Sequence, residues 1–310
     1  MKEYKFDKIK DLEYGENKQQ QAGLYMCNEM ADYEVLFNKE LTFDNILNLD
    51  VITNILSEFY DVNAVAITKH GATCSVALGT NIEDAYNKAF DCDPVSAFYS
   101  TIGCTQEVDV ETAKHINSMG VKVLIAPDFE YEALNLLQEN EALKLVKLNT
   151  PLNEIRKICA EDIKVTPFGV LIQEQNNSNL DKDLFKIVTK AKPTTEQIED
   201  AIFAWKVVKH AKTDAAIVAK DFCVRGISQS SANLGLAVEN ALNQACEYSK
   251  DGILATDGVI HSHDVIYACA QGRIGLIIQS GGSSKDHELI ELANKYGIAM
   301  ITTGIKNHKY

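Results

Sequence analysis

Hydrophobic and polar positions follow two rhythms along this 310-residue chain. Short runs rich in Val, Ile and Ala predict strands, and segments with apolar residues three or four positions apart predict helices. Because strands that alternate with helices form layered structures, the pattern predicts an α/β fold. The predicted strands are residues 62–70, 122–126, 215–220, 273–279 and 298–303. The predicted helices are residues 82–90, 110–119, 129–143, about 195–211, 234–246 and 287–296.

A polar stretch interrupts this alternation. Residues 173–183 (QEQNNSNLDKD) contain no large apolar residue except one leucine, and a composition of this kind is typical of a linker. The sequence therefore predicts two lobes, the first over residues 1–175 and the second over residues 190–310.

The two halves of the chain resemble each other. The run from Asn63 to His70 (NAVAITKH) aligns with the run from Asp214 to Asp221 (DAAIVAKD) at an offset of 151 residues. The strand predicted after Gly120 aligns with a second strand at an offset of 152–153. Two anchors with nearly one offset favour a duplicated α/β unit. The alternative is that any strand–helix–strand pattern is self-similar, and the sequence alone leaves it open.

Charge and composition exclude several classes of function. The chain has 30 Lys and Arg against 44 Asp and Glu, a formal net charge of −14 that disfavours nucleic acid and anionic lipid as partners. No apolar run reaches the length of a membrane span, and the first residues lack the apolar core of a signal peptide. The eight cysteines form no Cys-x-x-Cys pair and are predicted to be mostly small buried residues. We expect a cytoplasmic protein that binds neither nucleic acid nor membrane.

Lys69 and His70 end a predicted strand, where α/β folds place their sites. Histidine transfers protons near neutral pH, and lysine stabilises developing negative charge. The alternative is an exposed strand end without chemistry. The Gly-rich loop from Ser280 to Asp286 leaves a similar choice between an anion cradle and a tight turn before a helix.

His261, His263 and Asp264 alternate after Asp257 and could in principle bind a metal. No further ligand cluster lies nearby in the sequence, so a solvated loop is favoured and no metal, zinc included, is predicted. In the helix near residue 205, Lys206 and Lys209 share one face, which could meet an anion or water. Trp205 is predicted to be a core residue.

These segments together resemble the AICAR (aminoimidazole carboxamide ribonucleotide) transformylase region of the bifunctional AICAR formyltransferase/IMP cyclohydrolase family. The resemblance extends from about Leu12 to the end of the chain. Its most specific anchors are FAWKVVKH, which ends at His210, and QSGGSSKD, which ends at Asp286. Lys69-His70 with Cys74 supports it. The fold that the resemblance implies is a pair of cytidine-deaminase-like three-layer α/β/α units without the deaminase zinc.

The resemblance also implies an activity. Members of the family transfer a formyl group from 10-formyltetrahydrofolate to the 5-amino group of AICAR in purine biosynthesis and one-carbon metabolism. They are homodimers with active sites near the subunit interface, and this chain is expected to lack the cyclohydrolase domain. The residues that the resemblance assigns to catalysis are Lys69 and His70. The residues that it assigns to substrate are Tyr14, Gly15, Asn17, Asp214 and Lys306, and those that it assigns to the folate are Val95 and Asp264.

The chain departs from the family at positions that matter for binding. Glu13, Leu234 and Lys306 stand where the family has arginines that contact the nucleotide, and Tyr99 stands where it has a glycine. A lost charge-assisted hydrogen bond costs about 1.5–3 kcal/mol, so the loss of these arginines is expected to weaken phosphate binding. Two alternatives follow. The chain is a divergent paralogue that acts on another small molecule, or it has a binding or regulatory role without catalysis.

Overall fold

The computed structural model describes residues 3–27, 29–38, 40–158, 160–178, 180 and 185–310. Its contacts divide the chain into two compact units. The first unit comprises Met1–Ala72, Thr80–Tyr86 and Val95–Asn177, and the second comprises Thr73–Gly79, Asn87–Pro94 and Ser178–Tyr310.

Strands and helices alternate along the described residues, as the sequence pattern predicts. The strands are β1 (Phe6–Leu12), β2 (Ala22–Cys27), β3 (Tyr33–Phe37), β4 (Ala64–Lys69), β5 (Ala72–Leu78), β6 (Thr101–Cys104), β7 (Val123–Ala126), β8 (Lys144–Leu148), β9 (Glu161–Thr166), β10 (Gly169–Glu174), β11 (Lys186–Ile187), β12 (Ala216–Lys220), β13 (Cys223–Ser228), β14 (Ile253–Thr256), β15 (Leu276–Gln279) and β16 (Ala299–Thr302). The helices are α1 (Phe43–Leu56), α2 (Ile82–Cys92), α3 (Pro94–Ala97), α4 (Val110–Asn117), α5 (Tyr131–Leu137), α6 (Leu152–Ile158), α7 (Thr195–Val208), α8 (Leu234–Ala245), α9 (His263–Gln271) and α10 (Asp286–Tyr296). The predicted α/β class is confirmed.

In the first unit the strand order is β4-β6-β7-β8-β3. β4 and β6 are antiparallel, β6, β7 and β8 are parallel, and β3 closes the edge antiparallel to β8. Every residue of β6 and β7 is buried, because a strand covered on both faces has no solvent side.

In the second unit the order is β11-β16-β15-β14-β12-β13-β5. β12 is antiparallel to both β13 and β14, and β14, β15 and β16 are parallel. The strands β4, β6, β7 and β8 therefore have the same sequence of antiparallel and parallel pairings as β12, β14, β15 and β16. The aliphatic core of the second unit includes Val218, Leu254, Ile277 and Met300, one residue from each of β12, β14, β15 and β16.

The helices α1 and α7 begin in the same way and have the same length, 14 residues. The side chain of Thr42 accepts a hydrogen bond from the Asn45 N–H, and the Asn45 side chain accepts one from the Thr42 N–H. Thr194 and Gln197 form the same capping box at α7. The predicted start of a helix at Thr194–Thr195 is thus confirmed, although the helix ends at Val208, before Ala211.

Three element predictions are wrong in part. The helix predicted over residues 129–143 ends at Leu137, and Leu143 is instead buried just before β8. The predicted linker begins inside β10, since Gln173 and Glu174 pair with β9. Its residues 179 and 181–183 lie outside the described residues. The third is the strand predicted over residues 273–279, which begins only at Leu276.

Two hairpins of the first unit, β1–β2 and β9–β10, form separate two-stranded sheets. Val165, Phe168 and Leu171 of the second hairpin expose most of their side-chain surface, Phe168 fully so.

Of the cysteines that the structure describes, three are buried, three are half-buried and one is exposed, and none of these seven forms a disulfide. Within the described ranges, no helix combines the length and apolar character needed to cross a membrane.

Candidate functional site

The first candidate site surrounds the turn that follows β4. Lys69 is the last residue of β4, and His70 and Gly71 form the two-residue connection to β5. Both have positive φ, 55° for His70 and 68° for Gly71, as in type I′ turns. The predicted position of Lys69 and His70 at the end of a strand is confirmed, and the turn leaves the His70 side chain exposed.

His70 lines a cavity of about 750 Å³ in the first unit, called here the His70 cavity. Tyr14 and Gly15, both predicted to bind substrate, line the same cavity, although they lie more than 50 positions away in the sequence. Lys122 and Lys144 bring two positive charges to its wall, and Glu16 and Asp44 bring two negative charges. A concave site with a few convergent polar groups suits a small polar ligand.

The Lys69 side chain does not line this cavity. Its Nζ atom donates a hydrogen bond of 2.8 Å to the main-chain oxygen of Phe98. The structure therefore brings His70 together with Tyr14 and Gly15, and directs the ammonium of Lys69 toward the segment before Tyr99.

Asn17 also lies outside the His70 cavity. Its side-chain Nδ2 and its main-chain N–H both donate to Oε1 of Gln20, at 2.8 Å each. The Gly15 N–H donates to the Gln20 carbonyl at 2.9 Å and closes the loop. Asn17 thus shapes the loop that carries Tyr14 and Gly15 to the cavity.

Tyr99 is a wall residue of the His70 cavity that occupies an unusual backbone conformation. Its φ is 57°, in the left-handed region that glycine adopts readily and other residues adopt at a cost. Its ring packs edge-on against Phe98, with centroids 4.3 Å apart, and lies 5.9 Å from Nζ of Lys122. The glycine that the resembled family has at this position would meet the same backbone requirement without a ring.

A second cavity, of about 470 Å³, lies in the second unit and is called here the Asp214 cavity. It brings together three predicted binding residues, Asp214, Asp264 and Lys306, with Leu234, one of the positions where the family has arginine. The first turns of α8 and α9 both border it, and the partial positive charge of a helix N-terminus favours anions.

The chain end helps to build the Asp214 cavity. The main chain of Lys309 accepts a hydrogen bond from the Thr213 N–H, and its own N–H donates to Thr213 Oγ1, both at 2.9 Å. The Asn307 N–H donates to the Asp257 carbonyl at 2.8 Å. These bonds hold Lys306 and His308 at the cavity wall.

Asp257 also lines the Asp214 cavity, and the sequence analysis did not predict a role for it. Its side chain is buried, and Oδ1 accepts the Ala215 N–H at 3.0 Å. Burial raises the pKa of Asp257, an effect that this hydrogen bond and the neighbouring His308 partly offset. The burial of Asp257 could not be read from the sequence, because the loop that covers it comes from the far end of the chain.

The two histidines near Asp264 have different partners. Nδ1 of His261 lies 3.0 Å from Oγ of Ser283, and Nε2 of His263 lies 3.4 Å from a carboxylate oxygen of Glu288. Asp264 hydrogen-bonds with Ser262, the N-cap of α9. Among the described residues, no group of three or more His, Cys, Asp or Glu side chains is placed to hold a metal ion.

The loop from Ser280 to Asp286 uses its donors internally. The Asp286 carboxylate accepts the Gly282 N–H at 2.8 Å and the Ser283 N–H at 3.2 Å. Of the two alternatives from the sequence, the tight turn before a helix agrees with this geometry.

The remaining predicted residues lie outside both cavities. Val95, assigned to the folate, is 83% exposed on the short helix α3. Lys209 is buried, and its Nζ atom donates to the Ser178 carbonyl at 3.1 Å. The sequence suggested that this lysine meets an anion or water, and its partner is instead a main-chain oxygen. Trp205 is a core residue, as predicted.

An α/β chain with a turn histidine, lysines and carboxylates around small cavities has the features of a small-molecule enzyme. The family model described as "AICARFT/IMPCHase bienzyme" matches residues 1–244. The chain belongs to this family, and the resemblance stated from its motifs is confirmed.

The curated relatives carry the name "Bifunctional purine biosynthesis protein PurH". The protein from Thermoanaerobacter sp. (strain X514) is 38% identical over 99% of this chain and 60% of its own length. The protein from Caldicellulosiruptor saccharolyticus is 38% identical over 97% of this chain and 59% of its own length. The protein from Bacillus cereus (strain B4264) is 36% identical over 98% of this chain and 60% of its own length. The chain therefore spans about 60% of the length of these relatives. A solved structure titled "Structural genomics, protein ybgI, unknown function" has a TM-score of only 0.15 at 9% identity, over 64% of this chain and 70% of its own.

Proposed function

We propose that this chain is an AICAR formyltransferase of purine biosynthesis that uses 10-formyltetrahydrofolate as its formyl donor in the cytoplasm. The observation that carries the proposal is the His70 cavity, where the turn histidine, Tyr14 and Gly15 meet beside two lysines in a member of this family. The name of its relatives supports the assignment to purine biosynthesis.

The proposed chemistry needs one base and one cation. The 5-amino group of AICAR is conjugated with its ring and is a weak nucleophile. His70 accepts the amine proton as nitrogen bonds to the formyl carbon, and negative charge grows on the formyl oxygen. The bond between the formyl carbon and N10 of the folate then breaks, and N10 takes up the proton as tetrahydrofolate leaves. Lys69 is the proposed cation for that charge. Its bond to the Phe98 carbonyl is exposed to solvent, so its ammonium can exchange this partner for the substrate.

The Asp214 cavity is the proposed site for the remaining recognition. Asp214 and Lys306 are its proposed substrate contacts. At the His70 cavity, Asn17 supports the loop that carries Tyr14. The Asp264 carboxylate is exposed in the first turn of α9, where it can accept hydrogen bonds from the N–H groups of a pterin. Val95 remains the second proposed folate contact, and no zinc takes part.

We also propose a homodimer. The exposed apolar side chains of β9–β10 support it, since a monomer rarely leaves such a patch uncovered. Sedimentation velocity at micromolar concentration tests it: a dimer is expected, and a monomer would contradict this part of the proposal.

The fold is proposed to be a pair of duplicated cytidine-deaminase-like α/β/α units, in lobes over residues 1–175 and 190–310. Three observations support duplication: the identical strand pairings, the equal length of α1 and α7, and their shared threonine capping box. The first residues of these helices, Phe43 and Thr195, are 152 positions apart, close to the offset found in the sequence.

The decisive experiment combines an assay with binding. Wild type should convert AICAR and 10-formyltetrahydrofolate to the formylated product, and His70→Ala should lower kcat by about 10²-fold or more. Calorimetric titration should give nearly the same Kd for AICAR in both proteins, because His70 acts mainly on the transferred proton. Absence of both product and AICAR binding in wild type would overturn the proposal.

A second candidate rests on Tyr99 and Leu234, each of which lines a cavity. Both change the shape or charge expected for AICAR, and they favour a paralogue that binds another small molecule or has a non-catalytic role. Folate-analogue binding without AICAR binding would favour this candidate.

A further inference from the structure

A buried asparagine holds the turn that carries His70. Asn48 lies in α1, and its Oδ1 accepts a hydrogen bond of 3.1 Å from the Gly71 N–H. Its Nδ2 donates to the Asp44 carbonyl at 2.7 Å, which fixes the orientation of the amide. The side chain is only 3% exposed and does not line the His70 cavity. Its contact is therefore with the backbone of the turn and not with the space where a ligand would bind.

The second unit contains the same construction without a histidine. Asp200 in α7 lies 152 positions after Asn48, and its carboxylate accepts the N–H groups of Asp221 and Phe222, at 2.9 and 2.7 Å. These two residues connect β12 to β13, with φ of 55° and 53°. In each unit a buried side chain of the long helix thus accepts hydrogen bonds from the backbone of such a turn.

The turn needs such a partner for a physical reason. His70 has a positive φ, a conformation that is strained for a residue with a β-carbon. An acceptor for the Gly71 N–H stabilises the turn in this conformation. The conformation of the turn then sets the direction of the His70 side chain. Asp44, whose carbonyl orients Asn48, is itself a wall residue of the His70 cavity.

We propose that Asn48 is a positioning residue for His70: its hydrogen bond to the Gly71 N–H keeps the imidazole directed into the His70 cavity. The inference rests on the proposed role of His70 in proton transfer. It adds that this role depends on a side chain that binds the backbone of the turn and does not line the cavity. A misplacement of a catalytic group by about 1 Å costs about 10²-fold in rate.

The test compares Asn48→Ala with Asn48→Asp in the full chain. Asn48→Ala removes the acceptor, so kcat for formyl transfer should fall by about 10- to 10²-fold, whereas the KM for AICAR should change less than about threefold. Asn48→Asp keeps an oxygen for the Gly71 N–H, as Asp200 provides in the second unit, but loses the donor to the Asp44 carbonyl, and it should recover part of the lost kcat. A variant with wild-type kcat after Asn48→Ala would overturn the proposal.

A second readout does not depend on turnover. In protein labelled at histidine Cε1, the His70 resonance is assigned by its loss in His70→Gln. Asn48→Ala should shift, broaden or split this resonance, and Asn48→Asp should restore it in part. If wild type shows no formyl transfer, the proposed activity fails, and the resonance still tests the positioning.

Asp200→Asn and Asp200→Ala are the matched controls, because they weaken the equivalent turn where no histidine is held. They should lower the unfolding midpoint and leave the His70 resonance unchanged. Asn48 would be merely structural if Asn48→Ala lowered the unfolding midpoint as Asp200→Ala does and left the His70 resonance as in wild type.

Discussion

The Nζ atom of Lys69 donates a hydrogen bond to the main-chain oxygen of Phe98, at 2.8 Å, while its sequence neighbour His70 lines the adjacent cavity. Two consecutive residues therefore have different surroundings. Because Phe98 precedes the cavity residue Tyr99, the ammonium of Lys69 is bound to the segment that leads into the cavity wall.

Lys69→Met removes this ammonium and keeps the methylene chain. We expect kcat for formyl transfer to fall by about 10- to 10²-fold, since a hydrogen bond from a charged donor contributes about 1.5–3 kcal/mol. The unfolding midpoint should change little, because exposed polar contacts contribute little to stability. Lys69→Arg, which keeps the charge, is the matched variant. Unchanged turnover in Lys69→Met would show that the cation has no part in the chemistry.

The local part of the fold was predictable, and the long-range part was not. Thr194 and Gln197 predict the start of α7 because a capping box involves only neighbouring residues. The end of α5 at Leu137 was missed because Leu143 continues the helical spacing, although it is buried at the entry to β8.

The candidate site shows the same division. The position of His70 at a strand end follows from the run of apolar residues before it. The bond from Asn48 and the burial of Asp257 depend on residues 23 or more positions away, and no local pattern marks them.

Tyr99→Gly should enlarge the His70 cavity and relieve the positive φ. Removal of the ring gives AICAR more room, so its Kd should fall in calorimetric titration. Tyr99→Ala removes the same ring but keeps a β-carbon in the left-handed conformation. Tyr99→Gly should therefore be about 1 kcal/mol more stable to unfolding than Tyr99→Ala. Equal stability of the two variants would contradict the backbone argument, and weaker AICAR binding in both would contradict the steric one.

Asp257 should make stability depend on pH. Burial raises its pKa, so the folded state binds this proton more tightly than the unfolded state. Its contribution to the free energy of unfolding therefore falls as pH rises above the ordinary carboxyl range. Asp257→Asn stays neutral and keeps an oxygen for the Ala215 N–H. Thermal unfolding should show the midpoint of the variant rising relative to that of wild type from acidic to neutral pH. A midpoint of the variant that falls relative to wild type over this range would refute the assignment.

Leu234→Arg tests whether the Asp214 cavity binds a phosphate. Leu234 is half-buried at the first position of α8 and lines the cavity beside Lys306. A guanidinium there adds a charge-assisted hydrogen bond, so the Kd for AICAR should fall by about tenfold or more. Leu236→Arg is the matched control, because it adds the same charge to the same helical turn at an exposed position outside the cavity. Equal gains in both variants would indicate a general charge effect. If neither variant binds AICAR more tightly, the cavity does not receive the phosphate.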